Sequence, residues 1–201
     1  YLDRFDTSEE QMLANSLEDS TPSETFSNFL QGLGNEVRLK GFEGFSGGLD
    51  VSEESLTGRR AIYKKTENAE IIYHIAPWLP QSGNQLNLER KRHFGNDTIV
   101  IIFSESLYAF ELKTLISRQI QVILFVRFIN RLQKYQVDVY TRLNDIFLDS
   151  NPIYIEGAYD FEKLTDLLIY LERQCYNTQP FVNKLYCMRK FHINQIINRL
   201  I

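Results

Sequence analysis

The chain has 201 residues, with 22 basic and 26 acidic side chains and a formal net charge of −4. Hydrophobic residues make up 43% of it, which excludes a disordered chain, and no apolar run approaches the ~20 residues that span a membrane. We expect one domain over residues 1–201, cut from a longer protein. Its two cysteines cannot form a disulfide scaffold, so the expected location is cytoplasmic, without membrane insertion.

Two capping motifs open the chain. Thr7 and Thr21 each precede a glutamate by three residues, the spacing of a capping box. After the second motif, apolar side chains recur at i, i+3, i+4 and i+7 until Gly34, which predicts a helix over residues 22–33. The glycine-rich segment Gly41–Asp50 lacks the Gly-Lys-Ser/Thr of a phosphate loop, so no nucleotide site is predicted there.

Helices and strands alternate along the rest of the chain. β-branched and aromatic runs predict strands at Glu70–Ala76, Thr98–Phe103, Ile120–Phe128 and Lys134–Thr141, with the second and third expected to be central. Helical patterns cover Asn84–His93, a segment capped by Asp160, and a last segment with Ile193 to Leu200. The predicted fold class is α/β, with a central mixed β-sheet covered by helices.

Metal and nucleophile sites are not predicted. The three histidines are far apart, no Cys-x-x-Cys pair exists, and Cys175 falls on the apolar stripe of a helix, as a core residue would. His74, in a strand that ends near Pro77, is interpreted as a hydrogen-bonded, partly buried histidine rather than a catalytic one.

The densest basic cluster is Arg90-Lys91-Arg92-His93, followed by Phe94-Gly95-Asn96-Asp97 and an apolar strand. Without further context this is a solvated helix face with turn-forming Asn and Asp after it. The string closely resembles the signature of the Rap GTPase-activating protein family, which also includes activators of Ral and Rheb. Over residues 5–185, other segments match in order: Thr7–Met12, Phe29–Gly34, Gly41–Asp50, Thr57-Gly58 and Glu70–Pro80.

The resemblance implies a RapGAP-type catalytic domain. Members of that family insert an asparagine, the "asparagine thumb", into a partner GTPase, where its carboxamide positions the attacking water. The thumb maps onto Asn96, with His93 as a second catalytic residue and Arg90, Lys91, Arg92 and Asp97 as GTPase-binding residues. GTP and Mg would belong to the partner, so no cofactor of the chain's own is expected. Rap is the expected GTPase, with Ral or Rheb as alternatives.

Two rival functions remain open at this stage. The domain could be a non-catalytic GTPase-binding or scaffold module of a larger complex, although the presence of Asn96 with its basic helix favours catalysis. A nucleic-acid domain that uses the basic cluster would bind any duplex in a strongly salt-dependent way. The acidic total charge argues against that alternative.

Overall fold

The computed structural model describes residues 1, 3, 8–16, 22–80, 90, 96–106, 108, 119–142 and 151–178. Its helices are α1 (Glu9–Ala14), α2 (Glu24–Leu33) and α3 (Ala158–Thr178), with a short 3₁₀ turn at Ala76–Trp78. Its strands are β1 (Asn35–Arg38), β2 (Arg60–Lys65), β3 (Glu70–Tyr73), β4 (Ile99–Ser104), β5 (Val122–Ile129), β6 (Lys134–Thr141) and β7 (Ile153–Ile155). Among these residues, no helix is both long and apolar enough to cross a bilayer.

Both N-terminal helices begin later than the capping motifs predict. Ser8, not Thr7, caps α1: its hydroxyl accepts from the amide of Gln11, whose side chain accepts from the Ser8 amide. Ser23, not Thr21, caps α2, accepting from the amide of Phe26 at 3.1 Å. The Ser23 hydroxyl also donates to Glu105 Oε1 at 2.6 Å, which ties the start of α2 to the residue after β4.

The strands form two sheets instead of one. β1, β2 and β3 make a three-stranded antiparallel sheet, while the second sheet is mixed and has the order β4-β5-β6-β7. In the mixed sheet β4 and β5 run parallel, and the remaining pairs are antiparallel. The four predicted strands are all present, but Glu70–Tyr73 belongs to the smaller sheet, and β4 lies at the edge of the described mixed sheet. β1, β2 and β7 were not predicted.

The main core lies between α2, α3 and one face of the mixed sheet. The predicted apolar stripe of α2 is buried, and Phe29 is only 1% exposed. Its ring centroid lies 5.3 Å from those of Phe103 and Tyr135 and 5.7 Å from that of Phe161. One aromatic side chain therefore joins α2 to both the sheet and α3. The opposite face of the mixed sheet packs Ile102 against Met12 and Leu13 of α1.

This arrangement fixes the segment that precedes β4. The carbonyl oxygen of Thr98 accepts hydrogen bonds from the amides of Gln121 (2.8 Å) and Val122 (3.2 Å), at the start of the parallel partner strand. Residues 96–98 are thus a short turn with a rigid base. The predicted helix at Asn84–His93 lies outside the described residues except for Arg90, which is helical, and the predicted C-terminal helix lies wholly outside them.

Candidate functional site

Asn96 is an exposed residue in the turn before β4. Its neighbour Asp97 is half-buried, and two residues further on the backbone enters β4. The Thr98 carbonyl is bonded to the β5 segment, which ties the end of the turn to the sheet. Asn96 is therefore an exposed side chain two residues before this anchor.

Asp97 is held by His74, the residue after β3. The distance between His74 Nδ1 and Asp97 Oδ2 is 3.1 Å, and the His74 side chain is 12% exposed. A carboxylate oxygen can only accept, so the His74 Nδ1–H donates. The expectation that His74 is partly buried and hydrogen-bonded is confirmed, and its partner turns out to be the neighbour of Asn96.

Opposing influences act on the pKa of His74. Burial lowers it, but the hydrogen bond and negative charge of Asp97 raise it, as does a backbone hydrogen bond with Gly47. The net result is a pKa above the ordinary value of 6.5.

The glycine-rich segment packs against this histidine. Gly47 has φ +57°, and a Cβ there would lie 2.6 Å from Ile72 Cγ2 and 3.3 Å from His74 Nε2. A side chain at this position would have to displace β3 or the imidazole ring. The absence of a side chain at Gly47 is therefore what lets the segment reach His74.

Arg90 requires a correction. It was expected to bind the GTPase, but its side chain is only 1% exposed. Its guanidinium donates to the carbonyl oxygens of Leu13 (2.8 Å), Leu79 (2.8 Å) and Asn15. Leu13 and Asn15 lie at the end of α1, and Leu79 follows the 3₁₀ turn. Arg90 therefore ties these two segments together. Burial of this guanidinium and its three bonds to backbone carbonyls indicate a structural role for Arg90 instead of a docking role.

Three other predicted site residues, Lys91, Arg92 and His93, lie outside the described residues. Their assignments therefore stay predictions. Of the predicted site residues, Asn96 and Asp97 are neighbours in the turn before β4, whereas the side chain of Arg90 is buried.

A cavity of ≈ 580 Å³ lies beside the turn, between the two sheets. Its lining combines apolar side chains of α2, β3 and β4 with the polar group His74, Asn96, Asp97, Glu172 and Arg173. Glu172, an exposed residue of α3, has a raised pKa because its carboxyl is partly desolvated and faces the negative charge of Asp97. One carboxylate, Asp97, therefore lies in the Asn96 turn, and a second, Glu172, lies close enough to Asp97 to interact with it.

Metal and thiol chemistry find no support in the described part of the chain. No group of three His, Cys, Asp or Glu side chains there could hold a metal ion. Cys175 is fully buried in the main core, as expected, and burial together with Glu172 raises the pKa of its thiol to about 11. A thiol in that state is protonated at neutral pH and is a poor nucleophile.

Sequence reasoning did not find the link between His74 and Asp97. The two residues are 23 positions apart, in different predicted elements. β3 belongs to the small sheet and β4 to the mixed sheet. The end of β3 therefore meets the start of β4 only in the folded chain, which no local pattern predicts. The one available signal was a histidine in an otherwise apolar strand.

Comparison with known proteins places the chain in a family. A model of the Rap/ran-GAP family matches residues 12–190. RapA guanosine triphosphatase-activating protein 1 of Dictyostelium discoideum is 41% identical over 100 residues, 49% of this chain and 9% of that protein. Human signal-induced proliferation-associated protein 1 is 42% identical over 99 residues, again 49% of this chain and 9% of that protein.

A longer alignment points to the same family. The mouse GTPase-activating Rap/Ran-GAP domain-like protein 3 is 31% identical over 170 residues, 81% of this chain and 16% of that protein. These alignments cover less than a fifth of each of the three relatives. A solved structure of the TSC2 GAP domain superposes with a TM-score of 0.70 at 23% identity, covering 86% of this chain and 95% of that one. It has the same α/β fold, and with the family match over 179 positions, residues 12–190, this chain belongs to the Rap/ran-GAP family.

Proposed function

We propose that this domain accelerates GTP hydrolysis by a small GTPase of the Ras superfamily, supplying the side chain of Asn96 to the partner's active site. The observation that carries the proposal is the position of Asn96. It is exposed, it precedes β4, and the residues after it are anchored by Thr98 to β5 and by Asp97 to His74. An exposed side chain on a rigid base is what insertion into another protein requires.

A carboxamide suits this chemistry. Its oxygen can accept a proton of the attacking water while its NH₂ group donates to another oxygen. It carries no charge, so its transfer into a partly desolvated site costs less than the transfer of an ionised group. GTPases that orient the water themselves use a glutamine, whose side chain ends in the same amide. Asn96 would provide that group in trans.

GTP and Mg²⁺ belong to the partner in this proposal, and the domain needs no cofactor of its own. The segment Gly41–Asp50 fits that view, since its Gly47 contacts His74 and Ile72 of the domain itself. Encounter with a GTPase in the cytoplasm is part of the same proposal.

The residues that precede Asn96 would contribute to docking. We assign Lys91 and Arg92 to contacts with the GTPase surface and His93 to support of the thumb or of the reacting water. Arg90 is left out because it is buried. Charged docking contacts are weakened by salt, so the affinity attributed to Lys91 and Arg92 should fall as ionic strength rises.

Rap is the proposed partner, with Ral and Rheb as alternatives. Support for Rap comes from relatives whose names state that activity, above all the RapA activator of Dictyostelium discoideum. Human signal-induced proliferation-associated protein 1 matches over almost the same length of this chain.

Single-turnover GTP hydrolysis by purified Rap, Ral and Rheb, each with and without the domain, tests the proposal. The expected result is acceleration of Rap, with smaller effects on the other two at equal concentration. Preference for Ral or Rheb would overturn the choice of partner but not the activity. No acceleration of any of the three, with binding retained, would instead indicate a non-catalytic GTPase-binding module.

A further inference from the structure

We propose that His74 is a positioning residue for Asn96, acting through Asp97. The inference rests on the proposed function and deepens it: His74 does not touch the GTPase, but it determines where the carboxamide is presented. It also changes the role of Asp97, from a GTPase-binding residue to the link between the histidine and the thumb.

The turn that carries Asn96 is short and has two anchors. One is the Thr98 carbonyl, bonded to the amides of Gln121 and Val122. The other is the Asp97 carboxylate, which accepts from His74 Nδ1 at 3.1 Å. Thr98 fixes the end of the turn next to β4, whereas Asp97 fixes the residue adjoining Asn96. Loss of the second anchor would leave the thumb attached to the sheet but free to rotate about its neighbour.

The imidazole lies between Asp97 and the glycine-rich segment. Asp97 accepts from Nδ1, and a Cβ at Gly47 would lie 3.3 Å from Nε2. His74 directly follows Tyr73, the last residue of β3. A chain of contacts therefore runs from the glycine-rich segment through His74 and Asp97 to Asn96, and it joins the small sheet to the mixed sheet.

A purely structural role would give a different result. The Asp97 side chain is 33% exposed, and an ion pair with a partly exposed member contributes little to folding stability. Catalysis is more sensitive, because a displacement of about 1 Å at a reacting group can cost about 10²-fold in rate. The inference therefore predicts that the rate constant falls much more than stability does.

Three variants of one residue and a neighbouring control form the test. His74→Leu removes the hydrogen bond to Asp97. His74→Asn keeps an NH₂ group near the position of Nδ1, whereas His74→Gln places it near Nε2, out of reach of Asp97. The control is Tyr73→Phe, which removes the adjacent buried hydroxyl; within the described structure that hydroxyl has no hydrogen-bond partner.

The readout is single-turnover hydrolysis by the accepting GTPase at varied domain concentration, which separates kcat from KM. We expect His74→Leu and His74→Gln to lower kcat by about 10- to 100-fold with KM changed by less than about threefold. His74→Asn should retain most of the activity, and Tyr73→Phe should match wild type. Asp97→Ala should resemble His74→Leu, and the double variant should lose no more than either single one.

Several results would overturn the inference. A kcat for His74→Leu within about twofold of wild type, in a variant that melts normally, would show that His74 does not position the thumb. If Asp97→Ala raises KM while His74→Leu does not change kcat, Asp97 contacts the GTPase directly. Should His74→Leu fail to fold, the contrast between His74→Asn and His74→Gln decides in its place. A wild-type domain inactive on every GTPase would refute the proposed function itself, which is a separate outcome.

Discussion

Arg90 and Asn96 lie near opposite ends of the string from residue 90 to residue 97, and different contacts hold them in place. Arg90 is buried, and its charge is matched by three carbonyl oxygens from elsewhere in the chain. Asn96 is exposed, and its position depends on the anchoring of the two residues that follow it. The charged residue Arg90 is buried and structural, whereas the turn residue Asn96 lies at the surface. A family signature thus contains both kinds of residue, and charge alone does not distinguish them.

The largest expected effect is at Asn96. Replacing Asn96 with Ala should lower the accelerated hydrolysis rate by two to three powers of ten, about 3–4 kcal/mol, because a transition-state contact is lost. Asn96→Asp should fail as well, since a carboxylate near the γ-phosphate loses the donor and adds repulsion. Because the side chain is exposed, the melting temperature should hardly change. The measurement is a thermal melt beside single-turnover hydrolysis, and a folded Asn96→Ala domain with normal activity would refute the thumb.

Arg90 should show the reverse pattern, with loss of stability instead of a specific loss of catalysis. Arg90→Met keeps an unbranched apolar stem but leaves three carbonyl oxygens without their donor, at an expected cost of about 3 kcal/mol in the free energy of unfolding. Arg59→Met is the matched control: Arg59 is exposed, and the change should stay within about 0.5 kcal/mol. Urea unfolding of both variants checks this. An equal effect of the two would contradict the structural role of Arg90.

Substitutions at two glycines test whether Gly47 supports His74. Gly41 and Gly47 both have positive φ, +69° and +57°, but a Cβ at Gly41 would meet nothing within 4 Å. Gly41→Ala should therefore cost only the backbone conformation, about 1 kcal/mol. Gly47→Ala should cost about 2 kcal/mol or more, since it also displaces Ile72 or His74, and it should slow hydrolysis. If the two substitutions have the same effect on stability and rate, Gly47 has no special contact with His74.

The smallest expected effect is on the pH dependence of stability. The folded-state pKa of His74 is raised above 6.5, so its protonated form is favoured in the folded protein. Its contribution to the free energy of unfolding, about 1 kcal/mol or less, should be fully present below about pH 6.5 and be lost as pH rises through the folded-state pKa. Urea unfolding between pH 5.5 and 8.5, wild type against His74→Asn, measures it. The difference between the two proteins should shrink with rising pH; a difference that grows would contradict the sign.

The sequence predicted the elements better than their assembly. Apolar periodicity located α2 and the strands because it depends on neighbours within one element, and those predictions are confirmed. The division into two sheets and the place of β4 at the edge of the described mixed sheet depend on pairing between distant segments, which no local pattern records. The same limit applies at the site. The resemblance pointed to Asn96. It did not predict the hydrogen bonds of Arg90 with the carbonyls of Leu13 and Leu79 or the bond from His74 to Asp97, because these form only in the folded chain.

Trp78 gives the molecule an optical probe close to this region. It is the only tryptophan in the chain, it is 5% exposed, and the guanidinium carbon of Arg60 lies 4.2 Å from its ring centroid. The next residue, Leu79, receives the hydrogen bond from Arg90. Excitation of indole therefore reports on one place, four residues beyond His74, without any introduced label. A shift in emission on adding a tryptophan-free GTPase would record in real time whether docking disturbs the segment that joins the two sheets.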